Sequence, residues 1–313
     1  MKRDENMNNS QITDRVLMIK PVRFYYNAQT AVNNAYQKDL QEDPNLVEKR
    51  ALNEFDSLVN KMKDVGIHVN VIQDTSTPHT PDSIFPNNWF SSHCDNTLIV
   101  YPMFAENRRL ERVKFLPTLK NLFTHSIDVI DLTSFEKENK FLEGTGALVL
   151  DRVNKIAYCS LSPRANEDVL SEFCKITNYR SVKFHSAQNF NNKETPIYHT
   201  NVMMGVTENF VVICLDAITD SNERENVKTS IINSGKEIID ISLDQVLKFC
   251  GNVLELKNSQ GKRYTLMSET AFNGFTKEQI DVIKKSSEII YSDISTIEIY
   301  GGGSVRCMIA ELF

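Results

Sequence analysis

The chain has 313 residues, a hydrophobic fraction of 41% and a formal net charge of -6. This length allows one large domain or two ordinary ones, and the apolar content is sufficient for a buried core. Lys and Arg are scattered along the chain, which disfavours a nucleic-acid partner. The longest apolar runs, such as 210–215, are far shorter than a membrane-spanning helix, so no membrane partner is expected.

The first residues and the cysteines indicate where the protein works. Residues 1–13 are polar and contain no apolar run typical of a signal peptide, so we expect a polar N-terminal tail. The six cysteines form no CxxC pair, which favours a reduced, cytoplasmic protein. His93 and Cys94 are neighbours without further ligands at metal-binding spacing, so no metal site is predicted.

Hydrophobic periodicity divides the chain into five similar blocks, each with strand runs, then a helix, then a further strand. The first block has strands at 16–19 and 67–72 around a helix at 46–64. The second has strands at 89–92, 97–101 and 126–130 and a helix at 109–123. The third has strands at 147–150, 156–159 and 181–184 and a helix at 166–175. The fourth has strands at 199–205, 210–215 and 237–241 and a helix within 223–234. The fifth has strands at 253–256, 264–267 and 288–291 and a helix at 277–286.

A last apolar run at 308–312 is predicted to be a strand that pairs back into an earlier block. Strand pairs with a covering helix, repeated five times, indicate an α/β fold with small sheets arranged in a closed ring. One ordinary open α/β sheet remains the alternative.

Four polar segments beside the predicted strands carry the residue types that perform chemistry. They are 82–90 (DSIFPNNWF), 141–146 (FLEGTG), 198–204 (YHTNVMM) and 301–307 (GGGSVRC). Each also has an ordinary explanation, such as a Pro-Asn turn, a core histidine or a small core cysteine. The Gly-x-Gly turn at 144–146 is not followed by a phosphate-binding lysine, so it does not indicate a nucleotide site.

The glycine loop before Cys307 is the most informative of these segments. Three consecutive glycines fit a place where the backbone passes close to a ligand or adopts a positive φ. A thiol needs a neighbouring base or cation to become a nucleophilic thiolate at neutral pH. His199 is a candidate base, and a carboxylate from another segment could orient its imidazole.

In this order, the motifs Asp-x-x-Phe-x-x-Asn, Leu-Glu-Gly-x-Gly, His-x-Asn and Gly-Gly-x-x-x-Cys resemble those of the guanidino-group-modifying enzymes. This superfamily includes arginine deiminase, dimethylarginine dimethylaminohydrolase and the amidinotransferases. The resemblance extends over 20–313 and implies a five-bladed α/β propeller, the pentein fold, with pseudo-fivefold ββαβ modules. We therefore expect a single pentein catalytic domain over 14–313 after the tail.

The resemblance also assigns roles to individual residues. Cys307 matches the nucleophile, His199 the general acid and base, and Glu143 the carboxylate that works with this histidine. Asp82 matches the first acid of the Asp-x-x-Phe motif.

Two further positions concern the substrate carboxylate. Arg164 matches an arginine that holds it, and either Arg108 or Arg109 resembles a second such position, since the guanidinium binds carboxylates through paired donors. Surface charge is the ordinary explanation of these arginines. Segment 24–34 is similar to one in the citrulline-utilisation hydrolases, an arginine-deiminase-related group, but no role can be assigned to it.

The sequence departs from the deiminase pattern at two substrate-binding positions. Asn88 and Asn201 replace acids that bind the substrate guanidinium in arginine deiminases. A guanidinium has five donors and no acceptor and stays charged, whereas a ureido group is neutral and offers both donors and an acceptor. Neutral amides therefore favour a ureido substrate such as citrulline, although Asp82 and Glu143 keep the site partly acidic.

The function expected from the sequence is hydrolysis of citrulline to ornithine, CO2 and ammonia through a covalent Cys307 intermediate. No metal or organic cofactor is expected, the partner is a small amino-acid substrate, and a homo-oligomer is compatible with the sequence. Arginine deiminase, dimethylargininase or amidinotransferase activity is the alternative within the fold. The second alternative is that the protein is not an enzyme but a pentein that binds a macromolecule.

Overall fold

A computed structural model of the protein describes residues 10–190 and 193–313. Residues 1–9 of the expected tail lie outside the described residues. Within the rest of that tail, Gln11, Ile12 and Thr13 are buried. Gln11 donates to the Leu150 carbonyl at 2.9 Å and Thr13 donates to the Leu312 carbonyl at 2.7 Å. Residues 11–13, although part of the expected tail, therefore pack against the described chain.

The described residues contain seventeen strands. They are β1 (Arg15–Lys20), β2 (His68–Gln73), β3 (Phe90–His93), β4 (Thr97–Val100), β5 (Asp128–Asp131), β6 (Val149–Asp151), β7 (Ile156–Ser160), β8 (Arg180–Phe184), β9 (Ala187–Phe190), β10 (Lys193–Pro196), β11 (Met204–Val206), β12 (Phe210–Ile213), β13 (Glu237–Asp240), β14 (Leu254–Lys257), β15 (Arg263–Ser268), β16 (Glu288–Ser292) and β17 (Ala310–Glu311).

Ten α-helices lie between these strands in the part of the chain that the structure describes. They are α1 (Ala28–Ala31), α2 (Pro44–Asp64), α3 (Glu106–Lys120), α4 (Gly144–Ala147), α5 (Glu167–Thr177), α6 (Ser221–Asn233), α7 (Leu243–Val246), α8 (Glu269–Gly274), α9 (Lys277–Ser286) and α10 (Ser295–Gly301). None of the helices in residues 10–190 and 193–313 combines the length and hydropathy needed to cross a bilayer.

The strands form five three-stranded sheets with one topology, and β9 and β10 form a separate hairpin. The sheet orders are β17-β1-β2, β3-β4-β5, β6-β7-β8, β11-β12-β13 and β14-β15-β16. In each sheet the first pair is antiparallel and the second pair is parallel. The fold is therefore α/β, with the five expected blocks present as separate sheets, and the alternative of one open sheet is wrong.

Each parallel pair is connected by a long helix, because parallel neighbours need a crossover. Helix α2 is the clearest case. Pro44 stands at its first position and Asp43 caps it, and its buried side chains include Phe55 and Leu58, which join the core cluster around β1. The helix therefore covers one face of the sheet that contains both chain ends.

The last strand pairs back to the first sheet as expected. β17 is antiparallel to β1, with Val16 opposite Glu311 and Leu17 opposite Ala310. It is shorter than the expected strand at 308–312, because Val305–Met308 form a 3-10 helix. The expected strand at 199–205 is likewise reduced to β11, because Thr200–Val202 form a 3-10 turn. Both short turns carry residues of the site described next.

Candidate active site

Three of the four polar segments singled out from the sequence line one cavity, and the fourth, 141–146, reaches it through the hydrogen bond between Glu143 and His199. The lining of the cavity comes from segment 24–34, the turn after β2, helix α3, the loops before α5 and β11, and the glycine loop before β17. The lining residues are Thr30, Asn34, Asp82, Phe85, Asn88, Arg108, Arg164, Tyr198, His199, Gly301, Gly303 and Cys307. Residues far apart in sequence are thus brought together at one place.

Cys307 lies in the 3-10 helix Val305–Met308 and is only 3% exposed. Its sulfur accepts two hydrogen bonds from side-chain amides, from Asn201 Nδ2 at 3.4 Å and Asn252 Nδ2 at 3.3 Å. Donors that point at sulfur stabilise negative charge on it, so the geometry suits a nucleophilic thiolate.

Asn252 is a site residue that the sequence motifs did not indicate. Its Nδ2 also donates to the Asn201 carbonyl at 2.9 Å, and its Oδ1 accepts from the Arg306 backbone N–H at 3.0 Å. The neighbouring Gly251 allows this close approach, because a Cβ there would lie 2.5 Å from the Met203 carbonyl carbon. A glycine followed by an asparagine is too common in loops to reveal this contact from the sequence.

The glycine loop before Cys307 has the properties expected of it. Gly302 adopts φ +66, and a Cβ at this position would lie 2.5 Å from Asn34 Nδ2. Glycine is therefore required both for the conformation and for the approach of segment 24–34. Asn34 and Tyr198 in turn donate to the Gly302 carbonyl, at 3.2 and 2.7 Å.

His199 and Glu143 form a buried pair, with 2.8 Å between Nε2 and Oε2. Burial, which outweighs the attraction of Glu143, lowers the pKa of His199 to about 4. Burial by itself raises the pKa of Glu143, but Arg164 and His199 hold it well below its usual range. At neutral pH the pair therefore consists of a carboxylate and a neutral imidazole that can accept a proton.

Helix α4 holds this pair in place. The backbone N–H of Phe104 donates to Glu143 Oε1 at 3.0 Å. Gly146 lets the helix backbone lie against the imidazole, because a Cβ there would be 2.8 Å from His199 Nδ1. This close packing accounts for the second glycine of the Leu-Glu-Gly-x-Gly motif.

Asp82 presents an unused oxygen. Its Oδ2 accepts from Asn27 Nδ2 at 2.7 Å and from Thr30 Oγ1 at 2.9 Å. Its Oδ1 is buried and has no hydrogen-bond partner within residues 10–190 and 193–313, and the same is true of Asn201 Oδ1. Buried acceptors without partners are costly, so both oxygens are suited to N–H donors of a ligand.

Asn88 is held by protein groups rather than left free. Its Oδ1 accepts from Arg108 Nη1 at 2.6 Å, and its Nδ2 donates to Asn87 Oδ1 at 3.0 Å. Arg108 is itself buried and paired with Glu111 at 2.8 Å. Burial, which outweighs the attraction of Arg108, raises the pKa of Glu111 to about 7.

Of the candidate arginines, which were Arg164 and either Arg108 or Arg109, two line the cavity and one does not. Arg108 and Arg164 line the cavity. Arg109 instead donates to the Met103 and Phe104 carbonyls and borders a different surface depression. Arg108 is therefore the second arginine of the site.

Segment 24–34 covers the cavity and supplies the partners of several site residues. Asn27 and Thr30 bind Asp82, and Asn33 Oδ1 accepts from Arg164 Nε at 2.7 Å. The Thr30 carbonyl accepts from Arg164 Nη2 at 2.6 Å. The segment thus fixes both a carboxylate and a guanidinium, a role that the sequence did not reveal because its polar residues follow no periodicity.

Comparison with protein families gives one match. The family described as N,N dimethylarginine dimethylhydrolase, eukaryotic, matches residues 20–313. The chain belongs to this family. The predicted resemblance to the guanidino-group-modifying enzymes is thereby confirmed, and the chain is a cysteine-dependent enzyme of the class that acts on C–N bonds of linear amidines or ureido compounds. No curated protein sequence matches the chain.

Solved structures of several related proteins have the same fold as this chain. The product-bound N-terminal domain of ArgZ, an arginine dihydrolase from the ornithine-ammonia cycle in cyanobacteria, is 14% identical, with a TM-score of 0.73 over 97% of this chain and 98% of that one. A mutant of AgrE with L-arginine is 14% identical, with a TM-score of 0.73 over 96% of this chain and 40% of that longer one.

A third relative is a dimethylarginine dimethylaminohydrolase mutant that forms an adduct with S-methyl-L-thiocitrulline. It is 13% identical to the family member described here, with a TM-score of 0.65 over 96% of this chain and all of that one. At these identities the three likenesses concern the fold.

Replacing Asn252 with aspartate should slow alkylation of Cys307 by iodoacetamide by about tenfold or more, because it removes one donor to sulfur and adds a negative group. Aspartate keeps the acceptor for the Arg306 backbone N–H. The rate is measured by peptide mass spectrometry, with the exposed Asn209→Asp as control. Equal rates in Asn252→Asp and the wild type would show that the amide does not support the thiolate.

The lowered pKa of His199 also predicts how stability depends on pH. Between pH 6.5 and 4 the unfolded chain binds a proton at this residue that the folded chain does not, so the free energy of unfolding falls as the pH falls. His199→Asn should lose stability less steeply there, by about 1 kcal/mol per pH unit. Chemical denaturation at several pH values measures this, with the exposed His68→Asn as control. Parallel curves for wild type and His199→Asn would contradict the neutral imidazole.

Proposed function

We propose that the protein hydrolyses citrulline to ornithine, CO2 and ammonia through a covalent intermediate on Cys307. The observation that carries the proposal is that Cys307 and His199 line one cavity, with two amide donors on the Cys307 sulfur and Glu143 bound to His199. The family to which the chain belongs supports hydrolysis of a guanidino or ureido amino acid in general. Citrulline is the finer part of the proposal.

The first half of the reaction forms the intermediate. His199 takes the thiol proton as Cys307 Sγ attacks the ureido carbon, which suits an imidazole that is neutral at neutral pH. A C–S bond forms, and the C–N bond to the ornithine side chain breaks. His199 gives its proton to the departing amine, while Glu143 stabilises the imidazolium at 2.8 Å.

The second half releases the carbamoyl group. Water attacks the thioester-like carbon, and His199 takes one of its protons. The C–S bond breaks, the Asn201 and Asn252 amides stabilise the negative charge that develops on sulfur, and His199 returns its proton to Cys307. The carbamate that leaves decomposes to CO2 and ammonia.

The charge of the site supports a neutral ureido group. Of the two asparagines at substrate-binding positions, Asn88 already accepts from the charged Arg108 at 2.6 Å, so a guanidinium bound to the same oxygen would lie beside another cation. Asn201 keeps an unpartnered Oδ1 among the described residues, but this oxygen carries no charge. A ureido group would supply N–H donors to Asn201 and Asp82 without bringing a second cation beside Arg108.

We further assign the substrate α-carboxylate to Arg164. Its guanidinium lines the cavity and is oriented by Asn33 and by the Thr30 carbonyl. Because these partners belong to segment 24–34, binding of the carboxylate would depend on the position of this segment.

Arginine is the competing substrate, and one observation favours it. The free Oδ1 of Asp82 belongs to a carboxylate, which pairs better with a charged guanidinium than with a ureido group. Two of the relatives also act on or bind arginine by their descriptions: ArgZ is an arginine dihydrolase, and the AgrE mutant was solved with L-arginine. On this proposal arginine would enter the same cavity and be attacked at its guanidino carbon.

We also propose that residues 14–313 form one catalytic domain with the five sheets closed into a five-bladed propeller. In each sheet order the first strand is β17, β3, β6, β11 or β14. Contacts among these strands support the ring, since β17 contacts β3 and β11 contacts both β6 and β14. Pairing of β17 with β1 joins the first and last described strands in one sheet. The cytoplasmic location and a homo-oligomeric state stay predictions.

The protein incubated with citrulline, arginine, methylated arginines and agmatine should release ornithine and ammonia from citrulline, read by mass spectrometry. Cys307→Ser should abolish the reaction, whereas Cys174→Ser, a matched change at a thiol outside the cavity, should leave it intact. If the protein instead formed citrulline from arginine, it would be a deiminase and the assignment of a ureido substrate would be wrong. Turnover retained in Cys307→Ser would contradict the covalent mechanism.

A further inference from the structure

A second cavity lies away from the candidate active site, between the second and third sheets. It is bordered by the β3–β4 turn, the β6–β7 turn and the residues around the end of α5. The residues that line it are His93, Cys94, Asp95, Thr97, Ile130, Arg152, Lys155, Ile176, Thr177 and Tyr179. None of them lines the cavity that contains Cys307.

Arg152 is the main charged group of this second cavity. The residue is 5% exposed, and its guanidinium lies over the Phe313 ring at 4.0 Å from the centroid. Nη1 donates to the Ser92 carbonyl at 3.2 Å, and Nη2 lies 3.6 Å from Glu311 Oε2, which is too long for a hydrogen bond. Glu311 is bound more closely by Arg306, at 2.8 Å. Within residues 10–190 and 193–313 the guanidinium donates one hydrogen bond and pairs loosely with Glu311, so it retains donors for a ligand.

Lys155 adds a second positive charge to the same lining. It stands in the β6–β7 turn with φ +52, and its ammonium lies over the Tyr179 ring at 4.8 Å from the centroid. Lys155 and Arg152 repel one another, and Asp95 is the acidic group that attracts Lys155. His93 adds no charge at neutral pH, because burial and these two cations hold its pKa well below the usual range. Arg152 and Lys155 are thus the two cations of the lining and Asp95 is the one acid among the described residues that form it, while Glu311, which pairs with Arg152, is shared with Arg306 outside the lining.

Hydroxyl groups complete the polar lining. The Tyr179 side chain is buried and stays protonated, because burial raises its pKa to about 12. Thr97 is also buried and borders the cavity. Two cations with a phenol and a threonine hydroxyl form the set of donors that binds a small oxyanion.

We propose that this second cavity is a binding site for a small oxyanion, a carboxylate or a phosphate, held between Arg152 and Lys155. The guanidinium suits two oxygens of one anion, and the ammonium supplies a further donor from the β6–β7 turn. The site is separate from substrate binding and does not depend on which substrate the enzyme uses.

A short chain of charges connects this anion site to the nucleophile. Arg152 faces Glu311, Glu311 binds Arg306, and Arg306 is the residue before Cys307. An anion bound to Arg152 would weaken its attraction for Glu311, which would then neutralise Arg306 more completely. The positive potential at Cys307 would fall, so occupation of the site should slow the reaction of this thiol.

Isothermal titration calorimetry with inorganic phosphate and with acetate, at constant ionic strength in chloride, tests the proposal. The wild type should bind at least one of them saturably, and the responding anion distinguishes phosphate from carboxylate ligands. Lys155→Asn should weaken binding about tenfold or more, because asparagine tolerates the positive φ but removes the charge. Arg152→Gln should weaken it at least as much, and the exposed Lys228→Asn serves as the matched control.

The second readout is the rate of Cys307 alkylation by iodoacetamide with and without the bound anion. The anion should slow alkylation in the wild type and in Lys228→Asn, but not in Lys155→Asn. Absence of saturable binding of both anions by the wild type would overturn the site, as would equal affinity in Lys155→Asn. An alkylation rate that the bound anion leaves unchanged would overturn the connection through Arg152, Glu311 and Arg306.

Discussion

The hydrogen bond between His199 and Glu143 is the interaction on which the site depends. Glu143 is completely buried, and a buried carboxylate is tolerated only when charged and polar partners surround it. His199 at 2.8 Å and Arg164 at 3.4 Å supply those partners from two other loops. Arg164 is in turn held by segment 24–34. The charged Glu143 carboxylate therefore links the third sheet, the loop before the fourth sheet and segment 24–34.

Buried polar atoms need hydrogen-bond partners, and two oxygens at the site lack them among the described residues. Most polar groups around the cavity have partners, including both atoms of the Asn88 amide. Asp82 Oδ1 and Asn201 Oδ1, by contrast, are buried without a hydrogen bond among the described residues. A protein keeps such atoms where a ligand satisfies them. They point to a substrate with N–H donors on two sides, which both a ureido and a guanidino group possess.

The sequence predicted the parts that depend on local pattern and on motif. Alternating apolar runs located the five blocks, and the motifs brought Cys307, His199 and Glu143 to attention. It did not reveal Asn252 or the role of segment 24–34, because their contacts join loops more than fifty residues apart and leave no periodicity. It also treated Asn88 as free to bind substrate, whereas burial of Arg108 beside it occupies its oxygen. Choices among buried polar partners are made by the tertiary structure, so the motif alone cannot supply them.

Under the proposed function, Cys307 carries a carbamoyl group during turnover of citrulline. The most direct measurement is mass spectrometry of the protein mixed with citrulline and quenched in acid within the first turnovers. The account predicts a mass increase of one carbamoyl group on the peptide that contains Cys307. Ornithine release with Cys307 unmodified at every time point, or the same increase on another cysteine, would contradict it.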